Sequence, residues 1–548
     1  MIQPFVDPAT LAGWLGDVAL GRGELALLDA REQGTFSEGH LFRAVSVPLS
    51  RLELLLERLV PRRDTRMVWC DDDGGDLAAT AAARAAHLGW TNGAVLAGGI
   101  AGWVAAGHQV YSGVNVPSKA FGELVEESYG TPRVSAGDLA ARQAAGHDLV
   151  ILDSRPMGEF RRRSIPGGID CPGAELVRRV REAAPDPATT VVVNCAGRTR
   201  SIIGSQSLID AGLPNPVYAL ENGTMGWELA GLTVATGVET EAPEPGPDAR
   251  AWAREAAAAV GVRYGVTAVP WSRVEGWRAG TDRTTLVFDV RTGAEYQDGH
   301  PVGARHAPGG QLVQATDEYV GTLGARLVLV DDDGVRATMT AAWLRRLGWA
   351  DCFVLEPGAL ASVDPLVSGP EPRPDLARTS VPTIKPADLY RRLEPGGSGA
   401  VVVDVDDSEK FRRRGHIPDA WWGIRSRLDQ ARARIGPART VVLTSSDGTL
   451  ARLAVADARA QWPDAEVMAL AGGNKGWRHS GLEMEPGFDR ATTSPDDRWY
   501  KPYEHAGAVA DAMQGYLDWE VALVAQVAAD PLVTFPDWSQ GLAPPAGA

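Results

Sequence analysis

Among the four cysteines of the chain, Cys195 stands in surroundings that could do chemistry. It opens the run Cys195-Ala196-Gly197-Arg198-Thr199-Arg200-Ser201, which follows the apolar run Thr190–Asn194 and leads into a helical pattern. A free thiol of pKa about 8.5 is mostly protonated at neutral pH, and the thiolate is the nucleophile. Three features of the run favour the thiolate. A strand-to-helix loop aims the positive end of a helix dipole at the sulfur. Gly197 permits a tight curl whose backbone N–H groups face inward as a nest for an anion. Arg198 and Arg200 bring two permanent positive charges to the same pocket. A small anion fits the same features, since arginine holds oxyanions bidentately. Ser201 reads as a helix cap through its hydroxyl.

The other cysteines lack such company. Cys70 sits at a strand end and Cys171 lies in GGIDCPG, and both read as packed thiols. Four cysteines in 548 residues make no disulfide framework. No pair has C-x-x-C spacing and the nine histidines are scattered, so no zinc site is expected. Neither a metal nor an organic cofactor is expected.

The elements that must position Cys195 recur along the chain. Four apolar runs end in an acidic residue, at Asp29, Asp153, Asp289 and Asp404. An aromatic follows seven residues after each, at Phe36, Phe160, Tyr296 and Phe411. About eleven residues on come His40, Ser164, His300 and His416. A second apolar run leads to a polar loop at Asp71, Cys195, Asp331 and Ser445. An Ala-rich helical stretch and a short strand then lead to a glycine turn, with a tryptophan at Trp103, Trp227 and Trp477 but none in the third copy. Agreement of several independent offsets predicts four homologous units of domain size.

Each unit reads strand, loop, strand, loop, helix, strand, helix. Short Val/Leu-rich runs without alternation predict a parallel sheet buried on both faces, with helices as crossovers. The expected fold class is α/β, four tandem domains and a C-terminal helical tail. The boundaries are 1–115, 116–240 with the loop of Cys195, 250–367, 376–487 and a tail at 488–548. Linkers fall at Glu241–Ala249 and Ser368–Asp375, both Pro-rich and acidic. The segment Glu504–Asp530 reads as a helix docked on a neighbouring domain. In the third unit, Gln311–Tyr319 reads as a loop that overhangs its own or a neighbour's site.

These units resemble rhodanese (sulfurtransferase) domains. The resemblance rests on the strand ending in Asp, on the turns EGHLFRAVSVP and RGHIPDAWW, on VVVNCAGRTRS, and on the end motifs AGGIAGW and AGGNKGW. It implies that Cys195 carries sulfane sulfur, with Ala196, Gly197, Arg198, Thr199, Arg200 and Ser201 binding the substrate. Asp153 and Arg155 are supporting residues, Asp153 as a strand-end group that hydrogen-bonds the loop. It implies transfer from a small anionic donor, thiosulfate first, through a persulfide to cyanide, a thiol or a protein acceptor. Asp71, Asp331 and Ser445 replace the cysteine elsewhere, so those units are expected to be catalytically silent. In two-unit relatives an inactive unit packs on the active one, so the first or third unit should help form the cleft over Cys195.

Two rivals remain. Rhodanese-fold phosphatases and arsenate reductases use a Cys-x5-Arg ring. Here Arg200 lies five past the cysteine and Ser201 six, one residue short. A non-catalytic scaffold would explain three silent units but not CAGRTRS.

Composition narrows the rest. Hydrophobic residues make up 44% and charged residues 23%, as in soluble globular proteins. With 54 Lys+Arg against 70 Asp+Glu the net charge is −16, which argues against a nucleic-acid or anionic-membrane binder. No run approaches the ~20 apolar residues of a membrane helix. The start has no basic or apolar signal region, so a cytoplasmic location is expected.

Overall fold

The computed structural model describes residues 4–372, 380–504 and 507–545. Part of the Ser368–Asp375 linker and the first residues assigned to the 376–487 unit therefore lie outside the described residues, as do two positions within Glu504–Asp530. Four five-stranded parallel sheets follow one another along the chain, each with strands in the order 1-5-4-2-3. In the second unit they are Arg133–Val134, Leu149–Asp153, Ile169–Asp170, Thr190–Asn194 and Val217–Leu220. The register pairs Asp153 with Asn194, so the strand-end aspartate lies beside the residue that precedes Cys195. Strand 4 of each unit is central and its apolar residues are buried, because helices cover both faces of the sheet.

The second unit packs on the third, and the first packs on both the third, where Leu25 and Leu323 exchange backbone hydrogen bonds at 3.2 and 2.8 Å, and the fourth. The second and third share the largest hydrophobic core, in which Phe121, Leu176 and Ile202 pack with Phe288, Leu312 and Trp343. Backbones approach closely there: a Cβ on Gly310 would lie 3.0 Å from the Gly173 nitrogen. The first and fourth meet through Arg425, which donates to Glu53 at 2.7 and 2.9 Å, and through Arg84 with Asp457 at 2.9 Å.

The tail helix is Val509–Ala528, and it buries Met513, Leu517, Leu523 and Val527. It docks on the helix Val116–Tyr129, which leads into the second unit. No helix among the described residues is long and apolar enough to cross a membrane.

The Gln311–Tyr319 segment departs from the expected loop. It runs through a short helix Gly309–Gln314 and a 3-10 turn Thr316–Glu318. The sequence is polar, but Leu312 and Val313 are buried between two units. Tertiary burial of that apolar pair overrides the weak local preference.

Candidate functional site

Cys195 sits where the central strand Thr190–Asn194 ends and shortly before the helix Thr199–Asp210 begins. Its side chain is 2% exposed and lines a cavity of about 340 Å³. The rest of the run, Ala196 to Arg200, lines the same cavity. Among the described residues, the backbone N–H groups of Ala196, Gly197 and Arg198 donate to no protein acceptor. The loop is held from behind. Thr224 donates its N–H to the Cys195 carbonyl at 2.8 Å and its hydroxyl at 3.0 Å. Met225 N–H donates to the Ala196 carbonyl at 3.0 Å. Gly223, at φ +55°, lies so close that a Cβ would come within 2.6 Å of the Gly197 carbonyl oxygen. This contact explains the last glycine of the repeated turn, and Gly99 and Gly473 stand equally tight under the first and fourth loops.

Two expectations for the loop need correction. Gly197 is not among the residues of positive φ, so no left-handed curl requires it. A Cβ there would lie 2.9 Å from Met225 Cε and 3.2 Å from Glu520 Oε2, both the ends of flexible side chains. Ser201 does not cap the helix. Its hydroxyl donates to the Arg198 carbonyl at 2.8 Å and lies 3.5 Å from Cys195 Sγ.

The arginine charges are less available than their spacing suggested. Arg198 turns to the helix Val116–Tyr129, where Glu123 accepts from it at 2.6–3.0 Å and Glu126 pairs with it too. Arg200 donates to Glu159 at 2.9 and 3.2 Å and to Gln311 Oε1 at 3.1 Å. Burial alone would raise the Glu159 carboxyl, but Arg200, with Lys501 and Arg155, holds it well below the usual carboxylate range. Arg155 binds Asp153 at 2.7 and 2.8 Å and the Arg163 carbonyl, and it does not line this cavity. The same clamp recurs at Asp29/Arg31 and Asp289/Arg291, so it belongs to the fold rather than to Cys195. Asp153 also accepts from Asn194 Nδ2 at 2.8 Å.

The cavity is built from more of the molecule than one neighbour. The third unit supplies Gln311, Gln314, Ala315, Glu318 and Tyr319, so the overhanging segment covers the neighbour's site rather than its own. The first unit supplies Gln33. The tail supplies Arg498, Trp499, Lys501, Tyr503 and Tyr516, none of which the sequence reading assigned to the site. A tail helix read as docked was the available signal, but its pattern does not say on what it docks. Lys119, from the helix Val116–Tyr129, pairs with fully buried Glu520 at 2.9 Å. Burial would lower that ammonium, but Glu520 and Tyr516 hold it above its ordinary value.

The loops of the first and third units are filled from within, whereas Ser445 and Ser446 of the fourth line a separate cavity of about 340 Å³. Asp71 accepts N–H groups of Gly74, Gly75 and Ala78 at 2.6–3.2 Å. Asp331 accepts those of Gly334 and Ala337 at 2.8 and 3.0 Å. In the fourth unit Ser446 N–H donates to Asp406, and Ser445 Oγ accepts from Ala451 at 3.2 Å. Cys70 and Cys171 are fully buried, and burial pushes both thiols well up.

Comparison with known proteins agrees with this architecture. The family model of the rhodanese-like domain matches four times, at residues 13–106, 135–230, 275–361 and 385–480. The chain is 45% identical to a thiosulfate sulfurtransferase from Pseudomonas aeruginosa of known crystal structure. That match covers 97% of this chain and 99% of the other, with a TM-score of 0.91. The rhodanese-like domain of an Anabaena protein, 24% identical, covers 21% of the chain and 88% of its own, with a TM-score of 0.18. A curated relative, an HTH-type transcriptional regulator of Mycobacterium tuberculosis, is 32% identical over 104 residues, which is 19% of this chain and 45% of the relative. With four family matches spanning most of its length, the chain belongs to the rhodanese family.

Proposed function

We propose that the protein is a sulfurtransferase that carries sulfane sulfur on Cys195, with thiosulfate as donor. The likeness to a thiosulfate sulfurtransferase over nearly the whole chain supports sulfur transfer. One observation carries the assignment to Cys195. Cys195 and Ala196–Arg198 line a cavity, and among the described residues the N–H groups of Ala196–Arg198 donate to no protein acceptor, while Asp71 and Asp331 fill their own loops.

In the first half-reaction the Cys195 thiolate attacks the outer sulfur of thiosulfate. A bond forms between Sγ and that sulfur, the S–S bond of the donor breaks, and its electron pair leaves with sulfite. One negative charge remains on the outer sulfur of the persulfide, where the Ala196–Arg198 N–H groups stabilise it as preorganised donors. In the second half-reaction a thiophile such as cyanide attacks the outer sulfur, leaves as thiocyanate and returns the thiolate. The exchange is ping-pong and calls for no metal or organic cofactor. In this reading Thr199 and Ser201 hold the loop and helix start, Asp153 and Arg155 brace the strand end, and the units keep the boundaries read from the repeat.

Intact mass after incubation with thiosulfate tests the proposal. A gain of one sulfur that cyanide removes and Cys195→Ser lacks is the expected result. No gain in the wild type, or a gain that survives in the variant, would overturn it.

A further inference from the structure

The cations lining the Cys195 cavity differ in how fully they are neutralised. Arg198 is held by two glutamates and Arg200 by Glu159 and Gln311. Lys119 is bound to buried Glu520. Arg498 is bound by Asp407, Glu409 and Glu504. Lys501 is different. Its side chain is 34% exposed, and its ion-pair contact among the described residues is Glu159 at 3.9 Å, a carboxylate that Arg200 already holds by both oxygens. Such a long, shared contact leaves the ammonium's three donors largely free.

Its backbone, by contrast, is fixed. The segment before it is tied to the first and fourth units. Gly34 N–H donates to the Asp496 carbonyl at 2.7 Å, and Arg427 holds the Asp496 carboxylate at 2.6 and 2.7 Å. Ser408 N–H donates to Asp497 at 2.9 Å, and Trp499 N–H donates to Gln33 Oε1 at 3.1 Å. Lys501 N–H itself donates to Glu504 Oε2 at 3.1 Å. A free ammonium on an anchored backbone, beside the Arg200–Glu159 pair and in the cavity of Cys195, is a preorganised anion contact.

We propose that Lys501, contributed by the C-terminal tail, is the side chain that binds the anionic end of the sulfur donor. This rests on the reading of Cys195 as the sulfur carrier. The recognised chemistry is an oxyanion, the sulfonate end of thiosulfate or the carboxylate of 3-mercaptopyruvate. Sulfur loading of full-length wild type, Lys501→Ala and Lys501→Arg is followed by intact mass against the concentration of each donor. The expected result is a roughly tenfold rise in half-saturating donor for Lys501→Ala, the equivalent of one charge-assisted contact. Loading at saturation should hold within about twofold, Lys501→Arg should recover most of the loss, and the salt dependence of loading should flatten in Lys501→Ala. A rise confined to one donor identifies which anion the lysine serves. Unchanged half-saturation for both donors in Lys501→Ala overturns the proposal. Failure of the wild type to load sulfur at all would instead overturn the role of Cys195.

Discussion

The loops that begin at Cys195 and Asp331 occupy the same place in two neighbouring units, yet only one keeps a cavity that reaches its first residue. Much of their framework is shared. Arg200 pairs with Glu159, and Arg336, also five past its loop's first residue, pairs with Glu295 at 2.8 and 2.9 Å. The units then cover each other's loops. Gln311 of the third unit donates no charge to Arg200, whereas its counterpart in the second, Glu175, binds Arg336 at 2.7 Å. Each of these residues stands 22 past its strand-end aspartate. A neutral amide over the Cys195 loop and a carboxylate over the Asp331 loop leave different electrostatics. The turns beneath differ as well. Gly223 lets Thr224 bond the Cys195 carbonyl, but Ala359 stands at the matching place in the third unit. There the helix shrinks to a 3-10 turn, and Gly358 N–H donates to Asp332 instead. The Asp331 loop thus differs from that of Cys195 in what fills it, in the charge around its arginine and in its support.

The strongest test transplants the nucleophile. Asp331→Cys in a Cys195→Ser background should load no sulfur by intact mass, a loss on the order of 10³-fold or more against wild type. Loading there would show that the cysteine alone decides. Next, Gln311→Glu should impose the electrostatics of the Asp331 loop on that of Cys195. Half-saturating thiosulfate should rise about tenfold near neutral pH, and the effect should shrink as pH falls and the new carboxyl takes up a proton. An unchanged concentration dependence would mean that the amide is only packing.

The reciprocal change, Glu175→Gln, should spare loading and cost stability. Glu175 is buried and pairs with Arg178, Arg179 and Arg336, so its loss should cost about 3 kcal/mol in chemical denaturation. The smallest effect concerns the shared frame. Glu159→Gln should lower stability by about 1 kcal/mol at pH 7. Because the folded Glu159 carboxyl is held low, its contribution is complete above about pH 4.5 and fades as pH falls below that. The difference between wild type and variant in denaturation should therefore begin to shrink below about pH 4.5, and a difference that stays constant from pH 7 down to pH 3 would rule out this ion pair as its source.

Much of the fold was legible because the repeat is local chemistry. A strand ending in Asp, a loop and a helix fix the separations from Asp153 to Cys195 to Thr224, and side chains within one unit must fall where those elements put them. The absence of a thiol from the loops of Asp71, Asp331 and Ser445 was legible for the same reason. The helix at Gly309–Gln314 was not, because burial of Leu312 and Val313 by another unit forms it. Nor were the acidic partners of Arg198 and Arg200, since a glutamate's distance in sequence says nothing about which arginine it will meet.

The sequence by itself determined four units, one thiol at a strand-to-helix loop and three loops without it. Only the tertiary structure decided that Gln311 from the third unit and Lys501 from the tail stand over Cys195. The physical reason is range. Backbone geometry sets placement across a few residues, whereas the walls of this cavity depend on how four sheets and a tail bury their remaining apolar faces against one another.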